Sequence, residues 1–314
     1  MTGSEPAALS DPGYLIRLIA QLTDQPVQNV LEKLRRELSD PGVSVKEAMA
    51  ASKIRPHEWS RELIEFYGST DAFLYETLRW NRSATKREMR RWIARLLARL
   101  NETSSRVLVY GDGLGFDSLF LAQSGHQVDF YEVSKLGVGF ARRLFDDFDG
   151  GIRILTEAPD RSAHYDVIVC LDVLEHVPDP AALVQSLAAC LRPGGLMIVH
   201  APFWYLAPEV GTHLRSNRKF SGDLRRLFAP AELKAVSAGW FWNPIALRKE
   251  SEAGESPLLP KPGWERLRIQ LGGVLLAVGR YWNLPHLWVV RWLRRSGRGD
   301  RAELEQLSAS VIEE

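Results

Sequence analysis

The chain has 314 residues, 45% of them hydrophobic and 25% charged, with a net charge of +1. That balance suits a globular protein of about two domains at roughly 150 residues each, and it argues against nucleic-acid binding driven by bulk charge. No run of about 18 apolar residues occurs, so no membrane-spanning helix is expected.

Residues 1–11 are polar and small, without the basic start and apolar stretch of a secretory signal. The two cysteines, Cys170 and Cys190, lack a Cys or His neighbour at metal-ligand spacing. Buried free thiols, no metal and a cytoplasmic setting are therefore expected. Residues 1–101 read as a helical domain. Tyr14, Leu15, Leu18, Ile19 and Leu22 recur at helical spacing. A second helix is expected with Asp24 as N-cap and Pro26 in its first turn. Its stripe is Val27, Val30, Leu31, Leu34 and Leu38, and Ser39-Asp40-Pro41-Gly42 stops it. Further helices are expected over 47–52, 57–67 and 71–80. A basic amphipathic helix over 85–100 carries Met89, Trp92, Ile93, Leu96 and Leu97 on one face.

From Arg106 the pattern changes. Short apolar runs at 107–110, 128–131, 152–155, 167–171 and 196–199 alternate with helical segments at 118–124, 135–148, 181–191 and 231–238. Continuous apolar strands separated by helices imply a doubly wound α/β domain, over 102–249, with a mostly parallel sheet covered on both faces. Residues 241–247 read as a later strand that Asn243-Pro244 confines to an edge or breaks. Residues 250–263 read as a linker. The segment 264–301 is rich in arginine and tryptophan. It can dock on the domain, form an oligomer contact, or lie on an anionic membrane surface, with nucleic-acid contact as a minor option.

The strongest chemical signal is Gly111-Asp112-Gly113-Leu114-Gly115, between an apolar strand and a helix. Glycines there permit a tight turn and close approach of a ligand, and the helix N-terminus adds free N–H donors. Glu132 ends the next strand, where a carboxylate can accept both ribose hydroxyls of an adenosine. The glycines do not follow the Gly-x-Gly-x-x-Gly spacing of nicotinamide dinucleotide sites, and no phosphate-binding Gly-Lys-Ser/Thr loop is present.

Between about Arg106 and Phe228 the sequence resembles the class I S-adenosylmethionine-dependent methyltransferases, in the broad ubiquinone- and menaquinone-type group. Gly111 to Gly115, the helix and turn from Leu121 to Val128, Tyr131-Glu132-Val133-Ser134, the run from Tyr165 to Val177, and Leu191-Arg192-Pro193-Gly194-Gly195-Leu196 resemble that family's motifs in order. The resemblance implies a Rossmann-like sheet and S-adenosyl-L-methionine as cofactor. It implies that Gly111, Gly113 and Gly115 approach the methionine portion, Glu132 the ribose, Glu157 the adenine, and Asp172 the methionine end. Val109 stands where the family often carries an acid, so Asp112 and Asp117 are candidates to supply a carboxylate near the sulfonium or ammonium group. Asp117 can equally be a first-turn acid favoured by the helix dipole.

Methyl transfer from a sulfonium chiefly needs positioning and desolvation, with a base where the acceptor loses a proton. Candidate bases are His213, His176 and His200, with His213 preferred; each can instead only bond a loop carbonyl. The fourth-strand run Leu171-Asp172-Val173-Leu174 lacks the Asn/Asp-Pro-Pro-Tyr pattern of nucleobase amino methylation, which favours a small-molecule acceptor over nucleic acid. Phe203, Trp204 and Tyr205 are candidates to line its pocket. Trp59, Phe66, Tyr67, Phe73, Tyr75 and Trp80 read as core or as a lid. An oxidoreductase using a nicotinamide dinucleotide, and a binding protein that keeps the fold without catalysis, are the alternatives.

Overall fold

A computed structural model describes residues 5–100, 104–146, 148–160, 162–250 and 262–281. Six helices come first: α1 (Pro12–Thr23), α2 (Val27–Ser39), α3 (Val43–Ala51), α4 (Arg61–Ser69), α5 (Ala72–Arg82) and α6 (Ala84–Arg99). Side-chain caps set several starts. Asp11 accepts from the Tyr14 N–H, Ser60 from Leu63 and Ser83 from Lys86. Asp24, expected as an N-cap, instead closes α1 as its C-cap in the left-handed conformation that Asp tolerates, and Pro26 stands at the N-cap of α2. α4 begins at Arg61 rather than 57. His57 is held outside it, donating its N–H to the Gly211 carbonyl at 2.6 Å.

The sheet follows. β1 (Arg106–Tyr110), β2 (Gln127–Tyr131), β3 (Ile152–Ile154), β4 (Tyr165–Leu171) and β5 (Leu191–His200) are joined by α7 (Phe116–Gln123), α8 (Lys135–Asp146) and α9 (Pro180–Ala189). A short α10 (Leu224–Leu227) leads to β6 (Leu233–Ala238) and β7 (Ile245–Lys249). The spatial order is β3-β2-β1-β4-β5-β7-β6. The first five strands pair in parallel, and β7 runs antiparallel to β5 and β6.

Two expectations need correction here. The segment 231–238, expected as a helix, is β6. Pairing with β7 overrides the helix preference of its Ala, Leu and Lys residues. The strand expected over 241–247 starts only at Ile245, because Trp240–Trp242 forms a 3₁₀ turn ahead of Asn243-Pro244. Of the segment 264–301, the structure describes residues up to 281. They lie in α11 (Pro262–Gly279) and the turn after it. The rest of that segment, and 251–261 of the expected linker, lie outside the described residues.

Alternation along the strands divides the core. Val107, Val109, Val167, Val169 and Ile198 face α6 and α7 through Ile93, Leu97 and Phe120. Leu108, Ile168, Cys170, Met197 and Val199 face the other side, with Val184, Leu187, Phe220 and Phe228. The N-terminal helices share a third cluster with the sheet's own helices: Leu15, Ile19, Leu34 and Leu78 pack with Phe116, Leu119, Phe140 and Leu144.

One polar contact crosses the same junction. Arg90 of α6 is 1% exposed and donates Nε to Asp117 Oδ1 of α7 at 2.8 Å. Its Nη1 donates to Glu5 and to the Asn81 carbonyl, and its Nη2 to the Asn81 side chain. Removing one partner of such a buried pair strands the others. Arg90→Met is therefore expected to destabilise the fold by about 3 kcal/mol, read as a lower midpoint in urea unfolding; an unchanged midpoint contradicts this.

Candidate active site at the strand tips

The turn after β1 needs glycine. Gly111 has φ +74° and Gly113 +65°, both left-handed. A Cβ on Gly111 would meet Val173 Cγ2 at 2.5 Å, and one on Gly113 would meet Thr77 of α5 at 3.0 Å. The bare backbone lets the β4 tip and α5 close over this turn. Glu132, at the tip of β2, points its carboxylate at the same place. It accepts the Gly113 N–H on Oε2 and the Ser134 N–H on Oε1, each at 2.8 Å. Each oxygen keeps a second lone pair, so two hydroxyls can still be accepted. Burial pushes the Glu132 carboxyl up, and the backbone N–H groups counter it. A glycine cradle facing a carboxylate with spare acceptor capacity fits an adenosine-bearing cofactor.

Asp112 and Asp117 are held by other partners. Asp112 accepts the N–H groups of Asp117 (3.1 Å) and Ser118 (2.7 Å), capping α7. Burial and the neighbouring Asp117 push its carboxyl up to about 7. Burial also works against Asp117, but Lys86 and Arg90 outweigh it and hold that carboxyl below its ordinary value. Gly115 is the N-cap of α7 and packs against Ala141 and Phe145 of α8. Glu157 is exposed on the bend after β3.

Asp172 ends β4 with φ +61°. Its Oδ1 lies 2.5 Å from His200 Nδ1 at the tip of β5. Its Oδ2 accepts Trp80 Nε1 at 2.8 Å and Lys86 Nζ at 3.1 Å. Burial alone would raise the Asp172 carboxyl, yet Lys86 and His200 hold it well below the usual carboxylate range. Lys86 also contacts Asp117 at 2.9 Å and is itself buried. The Trp80 ring stacks over His200, with centroids 6.5 Å apart. Asp172 holds the ring through Nδ1, which leaves Nε2 as the nitrogen turned away from it.

The other two histidines form a separate group. His213 places Nδ1 2.8 Å from the Tyr205 carbonyl, the loop-carbonyl bond that was its alternative role. His176 Nδ1 lies 3.0 Å from the Tyr67 hydroxyl and 3.2 Å from the Thr212 carbonyl. Burial pushes His176 down to about 4 and His213 well below its ordinary value. Between them sits Glu175, 1% exposed, with neither carboxylate oxygen hydrogen-bonded. Burial, with Asp172 nearby, pushes it well up. One ligand atom from each of Glu175, His176 and His213 lies within 4.8 Å of the others, a donor set that suits a divalent cation. Spacing along the chain hides this group, because Glu175 and His213 meet only through the fold.

Beside His200 is a small pocket, open to solvent, lined by Phe203, Trp204, Phe220, Phe228 and Trp242, among others. Of the expected pocket aromatics, Phe203 and Trp204 line it. Tyr205 turns to His213 and Glu209 instead. Sequence reasoning missed Lys86 and gave Trp80 only as core or lid; the contact of α5 and α6 with the strand tips brings both to Asp172.

Removing the Glu132 carboxylate tests the cradle. Glu132→Ala is expected to weaken S-adenosylhomocysteine binding about tenfold or more in titration calorimetry; unchanged affinity excludes a ribose contact.

A family profile described as "Methyltransferase domain" matches residues 81–238, half of the chain. The ubiquinone biosynthesis O-methyltransferase of Bordetella avium (strain 197N) is 32% identical over 170 residues, covering 50% of this chain and 69% of that protein. The protein of the same name from Aeromonas salmonicida (strain A449) is 30% identical over 141 residues, covering 41% of this chain and 58% of its own length, less than two thirds. Among solved structures, the N-methyltransferase NodS of Bradyrhizobium japonicum WM9 matches at TM-score 0.45 and 15% identity, over 60% of this chain and 98% of that one. With the profile match over half its length and the 32% identical relative matched over more than two thirds of its own, the chain belongs to the class I S-adenosylmethionine-dependent methyltransferases.

Proposed function

We propose that this protein methylates a small acceptor whose reacting group is a hydroxyl on an apolar body, with the Asp172–His200 pair as its base. The observation that carries this is the pairing itself: an ionised Asp172 orients His200, and His200 lines the aromatic pocket. When bound, S-adenosylmethionine supplies an activated methyl group. Gly111, Gly113 and Glu132 would hold it. His200 Nε2 takes the hydroxyl proton, and the resulting imidazolium is stabilised by Asp172. The cavity's aromatic walls exclude water and seat the acceptor's apolar part.

This reading moves the base from His213 to His200. His213 is buried and committed through Nδ1 to a carbonyl, and its depressed basicity makes it a poor proton acceptor. It also moves Asp172 from cofactor contact to orienting the base, and gives Asp112 and Asp117 scaffolding roles. A hydroxyl acceptor agrees with the O-methyltransferase names of the relatives. We also propose a cytoplasmic setting in which the buried thiols Cys170 and Cys190 stay reduced.

In a labelled-methyl transfer assay with alkylated phenols, His200→Ala is expected to lower kcat about 100-fold or more while leaving cofactor affinity unchanged. A wild-type rate in that variant, with the rate lost in His213→Ala, would return the base to His213.

A further inference from the structure

Helix α11 has two apolar sides, and among the described residues only one of them is covered. Its inner side docks on the 3₁₀ turn Trp240–Trp242. Gly272 and Gly273 lie flat under the Trp242 ring, and Trp242 Nε1 donates to the Ile269 carbonyl at 3.0 Å. Ser221 Oγ donates to the Leu276 carbonyl at 2.7 Å. Trp264, Leu267, Leu271, Val274, Leu275 and Val278 repeat at helical spacing on the opposite side, and all are exposed: Trp264 by 79% and Val274 by 60%. With Tyr281, Trp240 and Phe241 they make nine of the twelve exposed large hydrophobic residues among the described ones. A contiguous exposed apolar patch of this kind marks a contact surface.

Charge indicates what covers it. Arg266 is exposed on α11 itself, and Arg268 packs over the Trp240 ring. Gly222, pressed against the α11 backbone, is flanked in sequence by Lys219, Arg225 and Arg226, all exposed. The single acid of the helix, Glu265, turns inward to the Ala238 N–H and Arg99. Asp223 caps α10. An apolar stripe with cations near it and its acid turned away suits anionic headgroups over acyl chains.

We infer that the exposed face of α11, with Trp240 and Phe241, docks on an anionic lipid bilayer. The acceptor cavity lies behind that face, since Leu276 and Phe241 both line it. Docking brings the cavity wall to the bilayer surface, so an apolar acceptor can pass from the lipid to His200. That last step rests on the methyltransferase reading; the docking does not.

The test is co-sedimentation of the full chain with vesicles of phosphatidylcholine containing about one third phosphatidylglycerol. Wild type is expected to sediment, and the surface double variant Leu267→Glu, Val274→Glu to lose binding about tenfold or more. The variant should keep its affinity for S-adenosylhomocysteine and its size by gel filtration. Absence of wild-type sedimentation overturns the inference. Equal sedimentation of both forms overturns it too, by placing lipid contact elsewhere in the chain. A wild-type dimer that the variant splits without any lipid effect assigns the face to a second copy and also overturns it. Loss of cofactor binding with lipid binding retained would sink the enzymatic reading alone.

Discussion

Lys86 and Arg90 lie one helical turn apart on α6, and both are buried where the N-terminal helices meet the sheet. Two buried cations there are tolerable only with carboxylates in contact. Asp117 serves both, and Asp172 takes a second contact with Lys86. The network therefore joins three elements that alternation alone would not align: α6, the first turn of α7 after the glycine bend, and the tip of β4. It also keeps Asp172 ionised, and through Asp172 it fixes the orientation of His200. The value of such a network lies more in fixing geometry than in net stability, because the desolvation of each charge offsets much of its attraction.

The site inherits that geometry. The glycine turn approaches α5 and the β4 tip closely, and Trp80 reaches from α5 to Asp172 and lies over His200. The N-terminal helices are thus part of the active site and not only its cover. On the far side, the cavity ends at α11 and the Trp240–Trp242 turn, so one wall of the acceptor space is also the inner side of the exposed apolar face. His200, the pocket beside it and the exposed side of α11 thus lie in one continuous arrangement from the strand tips to the surface.

Much of this was legible from the sequence, and the part that was not has a physical cause. The glycine turn after β1 and the place of Glu132 at the β2 tip could be read, because both depend on local backbone conformation and strand ends. The parallel strands were readable as continuous apolar runs set between helices. β6 was not, since its residues prefer helix and only pairing with β7 decides the matter. The histidines could be named, but the preference for His213 rested on its loop position alone. Whether His213 or His200 can accept a proton depends on partners drawn from distant segments, Tyr205 for one and Asp172 for the other. Trp80 could be read only as core or lid, and Lys86 carried no signal, because a lysine on a basic helix reads as solvation until the fold brings it to a carboxylate.

The measurement that bears most directly on the account is a crystal structure of the full chain with S-adenosylhomocysteine. The account predicts ribose hydroxyls on the Glu132 carboxylate and the sulfur on the side of the glycine turn that faces His200 and the aromatic cavity. Ligand bound elsewhere, with Glu132 bonded only to the Gly113 and Ser134 N–H groups, would contradict it.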